Sequence, residues 1–281
     1  MPNRTSTWNL VIQLTLLAGV GLFTQACSTL NEKYVAAAYF EKHNSLIDSD
    51  FKDFILKELP LDNCGIHEDR VNAVVVKLSA LERDLIGEGS HRQLSSSIHL
   101  DIQLTKQIKQ FWEIIVLERL PSGIFADPFE LQHLLSRGEF TDLAVFGDTN
   151  LELPSVASNR SLVELHIEVD HNVSSNNKLE VSIKLPLHAR YAPLVEEDVG
   201  FSRIEFNAPD VIIRTKAVKG DSDDRSCFYS LTGSNHELES HTVVAWDVPS
   251  GIKSHTSFVS LLTFIAAVVS AFIIVLTSIC Y

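Results

Sequence analysis

The triplet Asp221-Ser222-Asp223 is the stretch whose residue types come closest to a catalytic motif. Two carboxylates at this spacing can bind a divalent cation, which in a glycosyltransferase binds the phosphates of a sugar donor. The surrounding residues lack the D-x-D-x-D-G order and the distal glutamate of a calcium-binding EF-hand loop. We therefore interpret them as a solvated acidic turn, and a transferase activity remains a hypothesis that depends on this loop.

Histidines are the other abundant candidate ligands, with 11 in the chain. None of them forms an H-E-x-x-H pair or combines with a C-x-x-C pair, which are the spacings of common zinc sites. His91-Arg92 and His188-Ala189-Arg190 each stand without a second ligand nearby in the sequence. The chain also lacks a G-x-S-x-G elbow, a Walker A loop and a G-x-G-x-x-G loop. The sequence therefore predicts no catalytic residues, no cofactor and no metal ion.

The four cysteines bear on the compartment rather than on catalysis. Cys27 and Cys280 lie beside the apolar ends of the chain, which leaves Cys64 and Cys227 in the central region. An oxidising compartment would allow Cys64 and Cys227 to form a disulfide. The sequence alone leaves open whether they pair.

Two sequons fall in the central region, Asn159-Arg160-Ser161 and Asn172-Val173-Ser174. Both match the acceptor motif for N-glycosylation, which is used in proteins that enter the secretory pathway. Asn159 and Asn172 are therefore the predicted glycan sites.

The first 26 residues have the pattern of a secretory signal peptide. Arg4 precedes an apolar run over residues 10–23, and small residues favour cleavage after Ala26. The apolar run is too short to span a bilayer comfortably. The alternative is a bacterial lipoprotein in which Cys27 carries the lipid. We predict a signal peptide over residues 1–26 and an exported domain over residues 27–257.

The C-terminal residues 258–281 contain no charged side chain over 24 positions. As a helix this segment reaches about 36 Å, which is enough to cross a hydrocarbon core of about 30 Å. We predict a single transmembrane helix, with the preceding domain in the lumen or outside the cell. The alternative is a signal for attachment of a glycosylphosphatidylinositol (GPI) anchor, cut near Ser250-Gly251 or Ser254.

Small residues recur on one face of this predicted helix, at Thr263, Ala267 and Ala271. Such a face allows a second transmembrane helix to approach closely. The alternative is that small residues are merely tolerated in lipid, and the sequence does not decide between the two.

The region between the two apolar ends reads mostly as β-structure. Apolar and polar residues alternate in several runs, which is the pattern of half-buried strands. The runs cover residues 72–81, 97–104, 111–117, 161–169, 178–187, 210–218 and 241–248. Residues 31–59 suit helix better. We predict a mainly β protein with a β-sandwich-like lumenal domain, one short helix near residues 128–137 and a single C-terminal transmembrane helix.

The predicted short helix follows a turn in the stretch LPSGIFADPFEL, residues 120–131. Pro121 and Gly123 are typical turn residues, because proline fixes φ and glycine accepts a positive φ. Asp127 is a good N-cap, Pro128 suits the first helical position, and Glu130 can reach back as a capping box. The stretch therefore predicts scaffold rather than an active-site loop.

The formal net charge of −13 argues against a nucleic acid as partner, because a polyanion would be repelled. The chain also has no lysine- or arginine-rich run. Membrane and protein partners remain.

Four segments, in order, resemble the phosphatidylinositol-glycan biosynthesis class X (PIG-X) family. They are EGSHRQL (88–94), RLPSGIFADPFEL (119–131), LPLHARYAP (185–193) and VPSGIKSHTSFV (248–259). The last leads directly into the predicted span. The motif residues that we single out are Pro121, Gly123, Asp127, Pro128, Glu130, Pro186, His188, Arg190, Tyr191, Pro249, Gly251, His255 and Thr256.

The resemblance implies a single-pass type I protein of the endoplasmic reticulum membrane with a lumenal N-terminal domain. It implies that the chain binds and stabilises the multi-pass catalytic subunit of GPI mannosyltransferase I, which adds the first mannose in GPI-anchor biosynthesis. The chain itself would not be an enzyme. The alternative from a different class is a GPI-anchored cell-surface β-domain that acts as a binding protein.

Overall fold

The computed structural model describes residues 33–59, 74–104, 111–169, 178–196, 200–216, 226–231 and 244–280. Several sequence predictions lie outside the described residues: the signal peptide over 1–26, Cys64, Asn172 and the acidic triplet at 221–223. The side chain of Cys227 is also outside them, so its pairing with Cys64 stays a prediction.

Strands dominate the described part of the chain, as the sequence predicts. They are β1 (Val74–Ile86), β2 (His91–Leu104), β3 (Phe111–Arg119), β4 (Ile124–Phe125), β5 (Asp142–Gly147), β6 (Ser161–Val169), β7 (Lys178–Ala189), β8 (Phe201–Phe206), β9 (Asp210–Lys216), β10 (Ser226–Ser230) and β11 (Val244–Pro249). The helices are α1 (Val35–Phe40), α2 (Asp48–Lys57), α3 (Pro128–Ser136) and α4 (Thr256–Cys280). The prediction of helix within residues 31–59 is confirmed by α1 and α2.

The strands form a four-stranded sheet in the order β1-β2-β7-β4 and a five-stranded sheet in the order β10-β9-β3-β6-β5. A separate pair joins β11 to β8. All the pairs within these sheets are antiparallel. Alternate residues of β2 and β7, among them Ile98 and Ile183, share one buried core with Ile114 and Val116 of the five-stranded sheet. The predicted sandwich-like, mainly β domain is therefore confirmed.

The five-stranded sheet is buried on both faces. Along β3, Ile114 and Val116 point into the core between the sheets, while Ile115 and Leu117 belong to a second apolar cluster. That cluster is completed by side chains of α1 and α2, which include Tyr39 and Phe51, both fully buried. This explains why β6 is buried at six successive residues, 161–166, instead of alternating.

Charged side chains fix the two helices to the sheet. Asp48, the first residue of α2, accepts hydrogen bonds from Arg119 Nη1 at 2.6 Å and Arg160 Nη1 at 2.8 Å. The fully buried carboxylate of Glu164 accepts bonds of 2.8 Å from the backbone N–H groups of Val35 and Ala36, at the start of α1. These bonds satisfy donors that a helix N-terminus leaves without partners.

His166 lies between two carboxylates beneath these helices. Its Nδ1 is 3.0 Å from Glu113 Oε1 and its Nε2 is 3.0 Å from Glu164 Oε1, while Arg214 also contacts Glu113. Burial on its own would lower the pKa of His166, but the hydrogen bonds and charges of the two glutamates more than offset this and raise it. Burial would raise the pKa of Glu113, but His166 and Arg214 lower it instead.

We expect His166→Asn to remove a pH-dependent contribution to stability. Because the folded pKa of His166 is raised, that contribution is complete below the unfolded value of about 6.5 and is lost as the pH rises through the folded pKa. The opposite holds for Glu113, whose contribution is lost as the pH falls through its lowered folded pKa. Urea unfolding of the wild type and of His166→Asn between pH 5.5 and pH 9 measures how the difference in their free energies of unfolding depends on pH. Parallel pH profiles for the two proteins would contradict the assignment.

Candidate functional site

Three of the four segments singled out in the sequence meet at one end of the four-stranded sheet. His91 and Arg92 at the start of β2 pair with His188 and Leu187 of β7. On the other edge of β7, Phe125 of the short strand β4 pairs with the same His188. His188 therefore lies in the middle of three strands, each from a different segment.

A tight turn delivers β4 to this edge. The N–H of Ile124 donates to the carbonyl of Pro121 over 3.2 Å, and Gly123 has a φ of +83°. A Cβ at Gly123 would lie 3.2 Å from Ser155 Cβ, so the glycine is needed for both backbone conformation and close approach. The carbonyl of Gly123 accepts a 2.7 Å bond from the N–H of Arg190. The predicted turn is confirmed, and it locks the second segment to the third.

Helix α3 follows with the predicted cap. Asp127 Oδ1 accepts a 2.8 Å bond from the N–H of Phe129, Pro128 is the first helical residue, and Gly138 follows the helix with a φ of +76°. The sequence predicts that Glu130 reaches back as a capping box. In the structure its Oε2 lies 2.9 Å from His188 Nε2 and its Oε1 lies 3.5 Å from His91 Nε2.

His91 and His188, which stand alone in the sequence, are neighbours in the fold and share contacts with Glu130. The two rings stack with centroids 4.3 Å apart, and Phe125 stacks on His188 at 5.2 Å. The sequence signal that could have shown that His91 and His188 are close is the pairing of their strands. Once β2 and β7 are adjacent, the register that buries Leu94 against Leu185 also places His91 opposite His188.

Arg190 and Tyr191, the next motif residues, have opposite environments. The Arg190 side chain is buried, with Nη1 donating to the carbonyls of Asn150 and Leu153 at 2.5 and 3.0 Å and its guanidinium 4.6 Å from the Phe125 ring centre. Burial lowers its pKa. Tyr191 is 88% exposed. Arg190 therefore holds the 150–153 loop in place, and Tyr191 is available at the surface.

The fourth segment joins this region to helix α4 without a free linker. Pro249 pairs with Phe201 at the end of β11. The N–H of Val195 donates to the carbonyl of Gly251, and the N–H of Lys253 donates to the carbonyl of Val195, both at 2.9 Å. A 3-10 helix over Lys253–His255 then leads into α4 at Thr256, whose Oγ1 donates to the Lys253 carbonyl.

Large apolar side chains are exposed beside this junction. We call Val156, Tyr191, Leu194 and Phe201 the juxtamembrane apolar surface; they are between 51% and 88% exposed. They belong to one region, because Ser155 donates to the carbonyl of Tyr191, Leu194 approaches Gly251, and Phe201 pairs with Pro249. Clustered exposed apolar side chains mark interaction sites more often than isolated ones do.

Helix α4 is long and apolar enough to cross a membrane; of the described residues, only the segment Lys253–Ile279 meets that test. Thr263, Ala267 and Ala271 are exposed on one of its faces. Thr263 Oγ1 donates to the carbonyl of Val259, which satisfies the hydroxyl within the helix. The face is therefore free of unsatisfied polar groups in this part of the chain and offers small residues to a neighbour.

The remaining motif and glycosylation residues are placed as follows. Pro186 lies in β7, where it pairs with Gln93, and the N–H of His255 donates to the Ile252 carbonyl within the 3-10 helix. Asn159 is exposed in the loop before β6, where its backbone N–H donates to Asp148 Oδ2 over 2.9 Å. Asn159 is thus accessible as a glycan acceptor, and its use stays a prediction.

Comparison with known proteins agrees on one family. A family model described as PIG-X / PBN1 matches residues 87–280, so α1, α2 and the whole of β1 precede the match. The chain is 24% identical over 211 residues to the rat (Rattus norvegicus) "GPI alpha-1,4-mannosyltransferase I, stabilizing subunit", covering 70% of this chain and 80% of the relative. The human relative of the same name is 22% identical over 211 residues, covering 69% and 77%. Protein PBN1 of Debaryomyces hansenii is 28% identical over 205 residues, covering 66% of this chain and 41% of that longer protein.

Proposed function

Because the chain belongs to the PIG-X / PBN1 family, we propose that it is the non-catalytic, stabilising subunit of a GPI mannosyltransferase I. That enzyme would add the first mannose in GPI-anchor biosynthesis, and its multi-pass catalytic subunit would be the partner. The relatives named as stabilizing subunits support this assignment.

The observation that carries the proposal is that three of the segments meet at one end of the four-stranded sheet, while the fourth forms the hydrogen-bonded junction that leads into α4. Their polar side chains are used to build a scaffold: Asp127 caps a helix, Arg190 holds a loop and His188 lies between strands. Four large apolar side chains are exposed nearby, beside charged ones such as Lys253 and Glu196, and clustered exposed apolar side chains are expected of a surface that contacts another protein.

We place the protein in the endoplasmic reticulum membrane as a single-pass type I chain. Residues 1–26 would be removed as a signal peptide, residues 27–257 would form the lumenal domain and residues 258–281 would span the bilayer. Helix α4 supports the span, although it begins two residues earlier, at Thr256. The short, hydrogen-bonded junction would hold the lumenal domain against the membrane surface, with Asn159 and Asn172 as its glycan sites.

The partner would contact two surfaces that lie on either side of this junction. The juxtamembrane apolar surface would meet its lumenal loops, and the face of Thr263, Ala267 and Ala271 would pack against one of its transmembrane helices. Small residues allow the close backbone approach through which helices associate in lipid. The short junction would let the lumenal contact and the transmembrane contact form at the same time. Once one has formed, the other becomes an intramolecular event, so the overall affinity exceeds that of either contact alone.

Co-purification of the full-length chain from membranes tests the proposal. We expect the mannosyltransferase catalytic subunit to be recovered with the wild-type chain and its amount to fall about fivefold or more with Ala267→Ile/Ala271→Ile, because bulk on this face separates the helices. Val269→Phe is the matched control, since it adds bulk on the opposite face of α4 and is expected to leave recovery unchanged.

Two outcomes would contradict the proposal. If the Ala267→Ile/Ala271→Ile variant recovers as much catalytic subunit as the wild type and Val269→Phe do, the small-residue face of α4 is not part of the interface. Release of the chain from intact cells by a phosphatidylinositol-specific phospholipase, with loss of the residues after Ser250, would identify the alternative, a GPI-anchored cell-surface protein.

A further inference from the structure

Glu130, His91 and His188 form a cluster on the outer face of the four-stranded sheet. One carboxylate oxygen of Glu130 and one ring nitrogen from each histidine lie within 4.8 Å of one another. Their side chains are partly exposed, at 35% for Glu130, 58% for His91 and 30% for His188. The cluster is therefore open to solvent and is not used by the proposed contacts of the juxtamembrane apolar surface.

The backbone holds the three ligand-bearing residues on rigid elements. His91 and His188 are directly opposite each other on β2 and β7, and the N–H of Ala189 donates to the Ser90 carbonyl over 2.7 Å. Glu130 lies in the first turn of α3, whose start is fixed by the cap at Asp127. A site built on strands and a capped helix keeps its ligands in place better than one built on loops.

The donor geometry is close to that of a metal site. Tetrahedral coordination with bonds of about 2.0–2.1 Å places ligand atoms about 3.3 Å apart. Both imidazoles direct Nε2 at a different oxygen of one carboxylate, at 2.9 and 3.5 Å. His188 is held between Phe125 and His91, so the more exposed His91 ring is the one that must turn for both nitrogens to face one ion.

We infer that His91, Glu130 and His188 bind a divalent transition-metal ion, with Zn²⁺ as the best match. Two imidazoles and one carboxylate are a recognised zinc ligand set that leaves a fourth position for water or another ligand. Imidazole ligands disfavour Mg²⁺ and Ca²⁺, which prefer oxygen donors. The ion would join β2, β7 and α3, and so would brace the edge of the sheet next to the turn at Gly123.

Metal binding by the purified full-length protein in detergent tests this inference. After chelator treatment, titration with ZnCl₂ alone is expected to give one ion per chain, measured by calorimetry and by metal content after gel filtration. The melting temperature is expected to rise with the logarithm of free Zn²⁺, because the ion binds the folded state. Glu130→Gln, His91→Asn and His188→Asn are each expected to weaken binding at least about tenfold.

His133→Asn is the matched control, because His133 is an exposed histidine on α3 outside the cluster. Circular dichroism establishes whether each variant is folded. If His188→Asn does not fold, His91→Asn still tests the inference, because it changes the most exposed of the three ligands. Binding of Zn²⁺ that is equal in the wild type and the three cluster variants, or no binding at all, would overturn the inference. Neither result bears on recovery of the catalytic subunit, so the metal site and the proposed function can fail separately.

Discussion

Replacing Trp246 by alanine is expected to lower the free energy of unfolding by about 3–5 kcal/mol, the range for large aromatic side chains removed from a core. Trp246 is fully buried on β11 and stacks on Phe206 of β8 with ring centres 6.4 Å apart. The guanidinium of Arg92 lies 5.4 Å from its ring centre, and its Nε1 donates to the Gly89 carbonyl over 3.1 Å. The side chain thus anchors the strand that leads into α4.

Trp246→Phe separates packing from hydrogen bonding in this prediction. It keeps most of the apolar volume and loses the Nε1 bond, so a cost of about 1 kcal/mol is expected. Urea unfolding of the detergent-solubilised chain, followed by circular dichroism, measures both variants. A change of less than about 1 kcal/mol for Trp246→Ala would contradict the description of β11 as part of the main core.

Replacing Arg83 by methionine is expected to cost about 3–5 kcal/mol, because it leaves Glu118 buried without its cation. Arg83 Nη2 lies 2.6 Å from Glu118 Oε1, with both side chains almost completely buried, and its Nη1 donates to the Asn207 carbonyl over 2.6 Å. Burial raises the pKa of Glu118, and Arg83 only partly offsets that effect. The Arg83–Glu118 ion pair therefore contributes little more to the free energy of unfolding than an apolar pair of the same size would.

The double variant Arg83→Met/Glu118→Leu is the control. Because it removes both charges and keeps the volume, we expect it to recover most of the lost stability. The free energies of unfolding of the two single variants and the double variant form a cycle that measures the coupling. A double variant as unstable as Arg83→Met would show that the loss comes from packing and from the Asn207 bond rather than from an unpaired carboxylate.

Most strands could be predicted because their alternation directly reflects burial on one face. In β2, Ile98 and Leu100 face the core while His99 does not, and the strand extends beyond the predicted run. Strands β5, β8 and β10 lie outside the runs that alternation predicts. The two-sided burial of β3 and β6 also escaped sequence analysis, because it depends on α1 and α2, which pack on the sheet from distant positions in the chain.

The local elements of the candidate site could be predicted from the sequence, but the way in which the fold brings them together could not. The cap at Asp127 and the turn at Gly123 follow from local residue preferences, and both are present. The cluster of His91, Glu130 and His188 joins positions from three segments that only the sheet register brings together. A motif search along the chain examines fixed short spacings, so it could not find ligands that are 39 and 58 positions apart.

The same limit applies to the charges that fix the helices. Asp48 and Arg119 carry no local signal of contact, yet they form a 2.6 Å ion pair across 71 positions. Such pairs can be predicted only when the topology is known, whereas caps and turns can be predicted from a few consecutive residues.

The lifetime of the mannosyltransferase catalytic subunit in cells that lack this protein tests the central claim most directly. The account predicts that the half-life of that subunit shortens and that surface GPI-anchored proteins decline with it. Re-expression of the wild-type chain should restore both, whereas Ala267→Ile/Ala271→Ile should not. An unchanged half-life of the catalytic subunit in cells without this protein would contradict a stabilising role.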